Sequence, residues 1–303
     1  MEIKKLEELL KIKTEKKMRL AVVACHDEEV LGAVVEAEKL GIAEPILIGD
    51  KKKTDLIAKE KGIDISNYEL IDEEDLNMSA EIGVKMVSTG KANFIMKGLV
   101  DTSILLKAVL NKEWGLRTDS LLSHVMIYDI PSYSKLIYLT DGGMNLQPSL
   151  EDKVKIIENA VTVVKSLGKE EVKVACLAAK EKVDPKMTAT VDADELKNKY
   201  IKGDFSKGTI VDGPMALDLA VSKSSAEIKG YKSSVAGDAD VLLVPNIEMG
   251  NGIGKSITYF ADGKSAGIVM GAKAPIVLVS RADDHEAKLY SIALGSAVAA
   301  FKE

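Results

Sequence analysis

Apolar and polar positions along the chain fall into two alternating rhythms. Short apolar runs at residues 20–24, 45–48, 68–71 and 92–96 predict strands, and the stretches 28–40, 51–61 and 76–88 carry apolar side chains at helical spacing. The segment 1–17 is charged throughout and periodic in Ile3, Leu6, Leu9 and Leu10, which predicts a first helix. After the run at 92–96 comes Lys97-Gly98-Leu99-Val100-Asp101-Thr102, with Thr102 placed to cap a helix reaching residue 110. Strand and helix in this order predict a parallel sheet covered on both faces.

The texture changes after Trp114. Residues 123–130 and 136–140 read as two strands joined by a short loop with Pro131 and Ser132, a spacing that predicts an antiparallel pair and the start of a second domain. A helix at 151–166, a strand at 172–177, a polar region and a strand at 209–211 follow. Pro214 suits the first position of a helix. A strand at 241–244, a helix after Gly254, strands at 268–270 and 276–279 and a helix at 286–300 complete the pattern.

Composition narrows the function classes. Of 303 residues 46% are apolar and 29% charged, a globular balance that excludes a disordered chain. The net charge of −6, from 47 acids and 41 bases spread along the chain, offers no basic stripe for nucleic acid. Cys25 and Cys176 stand far apart in apolar runs, as reduced core thiols of a cytoplasmic protein would, and neither a disulfide framework nor a structural metal is expected. No apolar run approaches the roughly 20 residues that span a bilayer, so no membrane association is expected. Only Arg19, Arg117 and Arg281 among the bases are arginine. A planar fork onto phosphate or carboxylate requires arginine rather than lysine, which gives Arg281 and Arg117 weight as ligand contacts.

Candidate chemistry gathers at predicted strand ends, where ligands of open α/β sheets sit. Gly250, Gly252 and Gly254, with Asn251 and Lys255, lie between a strand and a helix; bare amides, the helix dipole and a lysine there would suit an anion, and a plain glycine turn is the competing reading. The spacing is neither a Rossmann fingerprint nor a Walker A loop. Ser280 and Arg281 follow the apolar run 275–279; the serine can donate to an oxyanion and the arginine can fork onto phosphate. Asp283 and Asp284 can cap the last helix or serve as a base, and His285 reads as an exposed helix-start residue. Asp212, Pro214 and Asp218 mark another strand end, where the carboxylates can hold a ligand or Asp212 can cap the helix from Pro214. Asn246 and Glu248 occupy the same place after their own strand, whereas Ser120, Ser123, His124 and Thr102 carry weaker signals. No Gly-x-Ser-x-Gly elbow supports a hydrolase triad.

Taken together, Asp212-Gly213-Pro214 with Asp218, the block Val-Pro-Asn-Ile-Glu-Met-Gly-Asn-Gly-Ile-Gly-Lys at 244–255, the Leu-Val-Ser-Arg ending at 278–281 and Met96-Lys97-Gly98 resemble the phosphate acetyl/butyryltransferase family. The resemblance is closest to its shorter, single-module members and covers nearly the whole chain. It implies a two-domain, three-layer α/β fold with mostly parallel sheets, like isocitrate and isopropylmalate dehydrogenases. Residues 1–120 plus 268–303 would form one domain holding both termini, 121–267 the other, with the active-site cleft between them. The implied reaction is reversible transfer of a short acyl group between coenzyme A and inorganic phosphate, butyryl first, with acetyl or another short or branched group as the alternative. A coenzyme A thioester would be a substrate and no cofactor or metal would be bound. Ser280 and Arg281 would hold the acyl phosphate and stabilise the charged intermediate.

Asn246, Gly250, Asn251, Lys255, Asp212, Pro214, Ser123 and Thr102 would line the substrates. Where acetyl-transferring relatives carry a catalytic aspartate beyond the Ser-Arg pair, this chain has Glu286 and Ala287, so either Asp283, Asp284 or Glu286 takes over as base or the base comes from another strand end, and Asp283 is the one named with Ser280 and Arg281. Attack in a ternary complex is expected, since holding both reactants together lowers the entropic barrier. A homo-oligomer of at least two copies is expected of such a fold. A nicotinamide-dependent dehydrogenase of the same fold and a non-catalytic acyl-CoA-binding module remain the rival classes.

Overall fold

A computed structural model describes residues 2–12, 14, 16–279 and 283–303. The chain divides into two compact units, the first comprising Leu6–Ser120 with Ser265–Glu303 and the second Met1–Lys5 with Leu121–Lys264. The first unit opens with α1 (Leu6–Leu9), β1 (Met18–Val23), α2 (Glu28–Lys39), β2 (Ala43–Gly49), α3 (Lys51–Lys61), β3 (Glu69–Asp72), α4 (Leu76–Ser88), β4 (Phe94–Lys97) and α5 (Thr102–Val109). The second holds β5 (Ser123–Asp129), β6 (Ile137–Thr140), α6 (Leu150–Ser166), β7 (Val172–Leu177), α7 (Thr188–Lys202), β8 (Thr209–Met215), α8 (Leu217–Val221), α9 (Lys223–Ile228), β9 (Val241–Leu243) and α10 (Ile247–Phe260). The chain then completes the first unit with β10 (Lys264–Met270), β11 (Ile276–Val277) and α11 (His285–Lys302).

In the first unit the strand order is β3-β2-β1-β4-β11-β10. All neighbours run parallel except β10, which pairs antiparallel with β11 through Ile268 and Val277. Its central strand β1 buries Leu20, Ala21, Val22 and Val23 completely, the two-sided burial that makes a parallel strand a continuous apolar run. Aspartates start its helices. Asp27 accepts from Val30 N at 2.9 Å and Asp50 from Lys53 N at 3.0 Å, each satisfying an amide that the first turn leaves unpaired. At α5 the capping position belongs to Asp101 and Thr102 is already the first helical residue, so the helix starts one place earlier than the sequence pattern predicts.

The second unit orders its strands β5-β6-β9-β7-β8. Here β5 and β6 form the expected antiparallel pair, with Met126 opposite Leu139, and β6, β9, β7 and β8 run parallel. Ile137, Leu139, Leu177, Met215, Leu219, Leu242 and Val244 close its core. Ser149 and Asp152 form a reciprocal capping box at the start of α6.

Three sequence expectations fail in this unit. The polar region after β7 contains α7, whose buried residues are only Thr190, Ala193 and Leu196, too sparse a stripe to announce a helix. Pro214 does not start a helix but lies inside β8, after a cis Gly213–Pro214 peptide, and the helix begins at Leu217. The glycine block is no turn. Gly250, Gly252 and Gly254 all lie within α10, which starts at the cap Asn246. The reason is packing: a Cβ on Gly250 would fall 2.5 Å from Gly142 Cα, and one on Gly254 would fall 2.5 Å from the Tyr128 hydroxyl, so α10 reaches its neighbours only without side chains at these positions.

Candidate active site

Because β6, β9, β7 and β8 are parallel, their carboxyl ends share one edge of the second unit's sheet, the edge at which α/β proteins bind ligands. The start of the antiparallel β5 joins them there, since Thr140 Oγ1 at the end of β6 donates to the His124 carbonyl at 2.9 Å. The turn after β6 is built around Asp141. This carboxylate is buried and accepts from Gly143 N and Met144 N at 2.9 Å and from Asn145 N at 3.2 Å. Asn145 Nδ2 adds a bond of 2.5 Å to the same carboxylate and one of 2.9 Å to Leu122 O. Several donors converging on one carboxylate fix the turn's shape. Gly142 is thereby held against Gly250, and Gly143 against the His124 ring, whose Nδ1 lies 2.7 Å from where a Gly143 Cβ would stand.

Asn246 occupies the next strand end and accepts from Met249 N at 3.0 Å. The amides of the glycine block do not point at an open anion site: they are helical, and Gly250 N donates to Asn246 O at 3.3 Å. Asn251 and Lys255 are exposed on the outer side of α10, with Lys255 Nζ 5.9 Å from the Tyr259 ring centroid. Asp212 is buried in β8, accepts from Gly213 N at 2.8 Å and pairs with Lys197 at 2.8 Å. Asp218 pairs instead with Lys229 at 3.0 Å, and Lys229 also holds Glu181 at 2.7 Å. The two carboxylates thus serve different lysines. Ser123 is fully buried with its hydroxyl accepting from Asn159 Nδ2 at 2.8 Å, a bond that ties β5 to α6.

In the first unit, β1 and β4 end side by side. Gly98 is required there: a Cβ would fall 2.3 Å from Ala24 O and 2.7 Å from Val23 O, both backbone atoms that cannot swing aside. Lys97, almost wholly buried, donates to Val100 O at 2.9 Å and to Gly98 O at 3.2 Å, folding its ammonium back over the turn. Thr102 is half-buried at the start of α5. His26 follows β1 as a buried imidazole whose pKa is lowered by burial and by the Lys53 ammonium. Ser280 and Arg281 lie outside the described residues.

Of the acids that follow, Asp284 caps α11 by accepting from Ala287 N at 2.8 Å, and Glu286 accepts from the Tyr290 hydroxyl at 3.1 Å. Asp283 is half-buried, and its backbone carbonyl accepts from Lys288 Nζ. His285 contacts Glu36 at 2.5 Å.

Both cysteines are buried free thiols, as their apolar settings predict, and burial pushes the pKa of each up. No helix among the described residues is long and apolar enough to cross a membrane. The sequence reading passed over Asp141 and over the buried pair Lys153–Asp192 at 2.5 Å, which ties α6 to α7 beside Cys176. Asp-Gly-Gly directly after an apolar strand is the signal that marks the first. Nothing local marks the second.

Parallel strands with polar turns gathered at their carboxyl ends define an α/β enzyme architecture for small molecules. The family model described as "Phosphate acetyl/butaryl transferase" matches residues 4–82 and 73–296, and the chain belongs to that family of phosphate acyltransferases. It is similar to "Phosphate butyryltransferase" of Clostridium acetobutylicum, 45% identical over 98% of both chains, and to "Phosphate acetyltransferase" of Thermotoga maritima, 40% identical over 97% of this chain and 99% of the relative. Among solved structures it resembles a branched-chain phosphotransacylase from Enterococcus faecalis V583, with TM-score 0.83 and 32% identity over 93% of this chain and 99% of the other. A 4-hydroxythreonine-4-phosphate dehydrogenase from Burkholderia phymatum, at TM-score 0.53 and 13% identity over 94% of this chain and 99% of that one, shares the fold alone. The expected dehydrogenase-like α/β fold is therefore shown, and the comparisons favour phosphate acyl transfer over nicotinamide chemistry.

Proposed function

We propose that the protein is a phosphate butyryltransferase, which interconverts butyryl-CoA plus phosphate with butyryl phosphate plus coenzyme A. The observation that carries this is the 45% identity, spanning 98% of both chains, to a relative of that name. A second reading, a branched short acyl group, is favoured by the likeness to the branched-chain phosphotransacylase.

In the forward direction a phosphate oxygen attacks the thioester carbonyl carbon, a tetrahedral oxyanion forms, and the carbon–sulfur bond breaks to release the thiol of coenzyme A. Ser280 donates to the oxyanion and Arg281 forks onto the phosphoryl oxygens, the task for which a lysine-rich chain would retain an arginine. An acid protonates the departing sulfur and, in reverse, takes the thiol proton. Asp283 is preferred for that role as the acid that follows the Ser-Arg pair most closely in sequence, and Asp284 serves as the cap of α11. Asn246 and Asp212 at the strand ends are kept as substrate-side groups. Direct transfer is supported by the two thiols: both are buried with raised pKa, the opposite of an activated nucleophile. The reading also carries a homo-oligomer of at least two copies, and buried, unbridged cysteines support a reducing cytoplasmic location.

Arg281→Ala tests the assignment: turnover falls by about a hundredfold or more, the scale of losing one transition-state contact, with the melting temperature retained. Wild-type turnover in that variant would remove the arginine from the mechanism. Comparing acetyl-, butyryl- and isobutyryl-CoA as substrates decides between the straight and branched readings.

A further inference from the structure

From β1 the chain of the first unit lays β2 and β3 on one side and β4 on the other, so the strand order reverses between β1 and β4. The carboxyl ends of two strands at such a reversal bound the crevice in which open α/β sheets hold ligands. Lys97 stands at that place: it ends β4 and lies opposite Val23, the last residue of β1. Lysine is rarely buried so deeply, and Lys97 is only 6% exposed. Its two carbonyl anchors, Val100 O and Gly98 O, fix the ammonium in place without cancelling its charge. The turn that carries it is equally fixed. Gly98 N donates to Val23 O and Leu99 N to Ala24 O, each at 2.8 Å, and Ala24 is held at φ 54°, a left-handed conformation that a residue with a Cβ seldom adopts. Backbone held in such a sparse region clusters at functional sites.

We propose that Lys97 is a phosphate contact of the reaction, a fixed cation at the β1–β4 crevice that holds the attacking inorganic phosphate. The inference rests on the acyl-transfer reading and adds a residue to it. A buried ammonium selects an anion, and at the reacting ends of the two substrates only phosphate is one, since the thioester carbonyl is neutral. Lysine serves such a ligand as a point charge, where an arginine would fork. Lys97 keeps its proton throughout: the phosphate oxygen bonds to the carbonyl carbon, the sulfur leaves, and the ammonium only holds the phosphoryl oxygens in a set position. Coenzyme A carries phosphoryl groups of its own, far from the sulfur, so the test separates the two sources.

Two variants of the full chain divide charge from structure. Lys97→Gln keeps donors for the Gly98 and Val100 carbonyls and loses the charge; Lys97→Arg keeps the charge. With phosphate and butyryl-CoA varied in turn, Lys97→Gln raises KM for phosphate about tenfold or more, leaves KM for butyryl-CoA within about threefold, and Lys97→Arg falls between it and wild type. Melting in the presence of coenzyme A, where no acyl group can transfer, reads phosphate binding without turnover: phosphate raises the melting temperature of wild type and not that of Lys97→Gln. Far-ultraviolet circular dichroism checks folding, and Lys97→Met, of similar volume, stands in if Lys97→Gln does not fold. A charge-lost variant that matches wild type in phosphate KM and in phosphate protection overturns the assignment. So does a KM that rises for butyryl-CoA instead, which would give the charge to a phosphoryl group of coenzyme A. A wild type that phosphate protects through Lys97 but that consumes no thioester refutes the acyl-transfer reading alone, and one that phosphate neither protects nor engages in turnover overturns both.

Discussion

Replacing Gly250 with alanine pits two effects of known size against each other. Within a helix the change gains about 1 kcal/mol, because glycine loses more backbone freedom than alanine on folding. Against this, the new methyl would stand 2.5 Å from Gly142 Cα and 2.8 Å from Val244 Cγ2. Gly142 cannot retreat, since the following amides of Gly143, Met144 and Asn145 are all bonded to the buried Asp141 carboxylate. Overpacking of this kind costs about 1–3 kcal/mol and more where backbone must move. The clash wins, leaving a net loss of about 1–2 kcal/mol. For a protein of this size that lowers the melting temperature by about 2–8 °C. Differential scanning calorimetry of wild type and Gly250→Ala measures it. An unchanged or higher melting temperature would refute the reasoning, because an open glycine turn would accept the methyl and keep the stabilisation.

Two further outcomes follow from the buried and charged groups. The double variant Cys25→Ala/Cys176→Ala keeps turnover within about threefold of wild type, since direct transfer uses neither thiol; loss of turnover in a folded variant, or an isolable acyl-enzyme, would count against the ternary complex. Burial opposes ionisation of Asp238, yet the hydrogen bonds from Lys173 and Lys135, at 2.7 Å and 3.0 Å, outweigh it and hold the carboxyl down at about 2. A depressed carboxyl contributes stability that is fully present above its unfolded pKa, about 3.9, and is lost as pH falls toward about 2. Between those limits the wild-type melting temperature falls more steeply than that of Asp238→Asn, and parallel curves would show that the lysine contacts contribute nothing.

Much of the architecture was legible because local signals agreed with burial. The ranges 51–61 and 76–88 were readable as helices since apolar residues recur at helical spacing, and the structure adds that Asp50 and Asp75 cap them. The β5–β6 pair announced itself by a short Pro-Ser loop between apolar runs. Failures occurred where tertiary contacts override local preference. Three glycines in one helix contradict propensity, and only the close approach of Gly142 and Tyr128 explains two of them. Pro214 looked like a helix start because nothing local reveals that β8 continues through it.

The site followed the same division. Asp212 and Asn246 were found because both stand where a predicted strand ends, a property read from sequence. That Asp212 pairs with Lys197, and that Ser123 is bound to Asn159, depends on helices distant in sequence. Asp141 was passed over because Asp-Gly-Gly reads as an ordinary turn until its carboxylate is seen to gather three backbone amides.

The central claim, transfer of an acyl group from coenzyme A to phosphate, is tested most directly by following the thioester absorbance of butyryl-CoA with the purified protein, with and without inorganic phosphate. The account predicts loss of thioester only when phosphate is present, with butyryl phosphate and free thiol appearing in equal amounts. Loss without phosphate, or tight binding of butyryl-CoA with no loss at all, would contradict it.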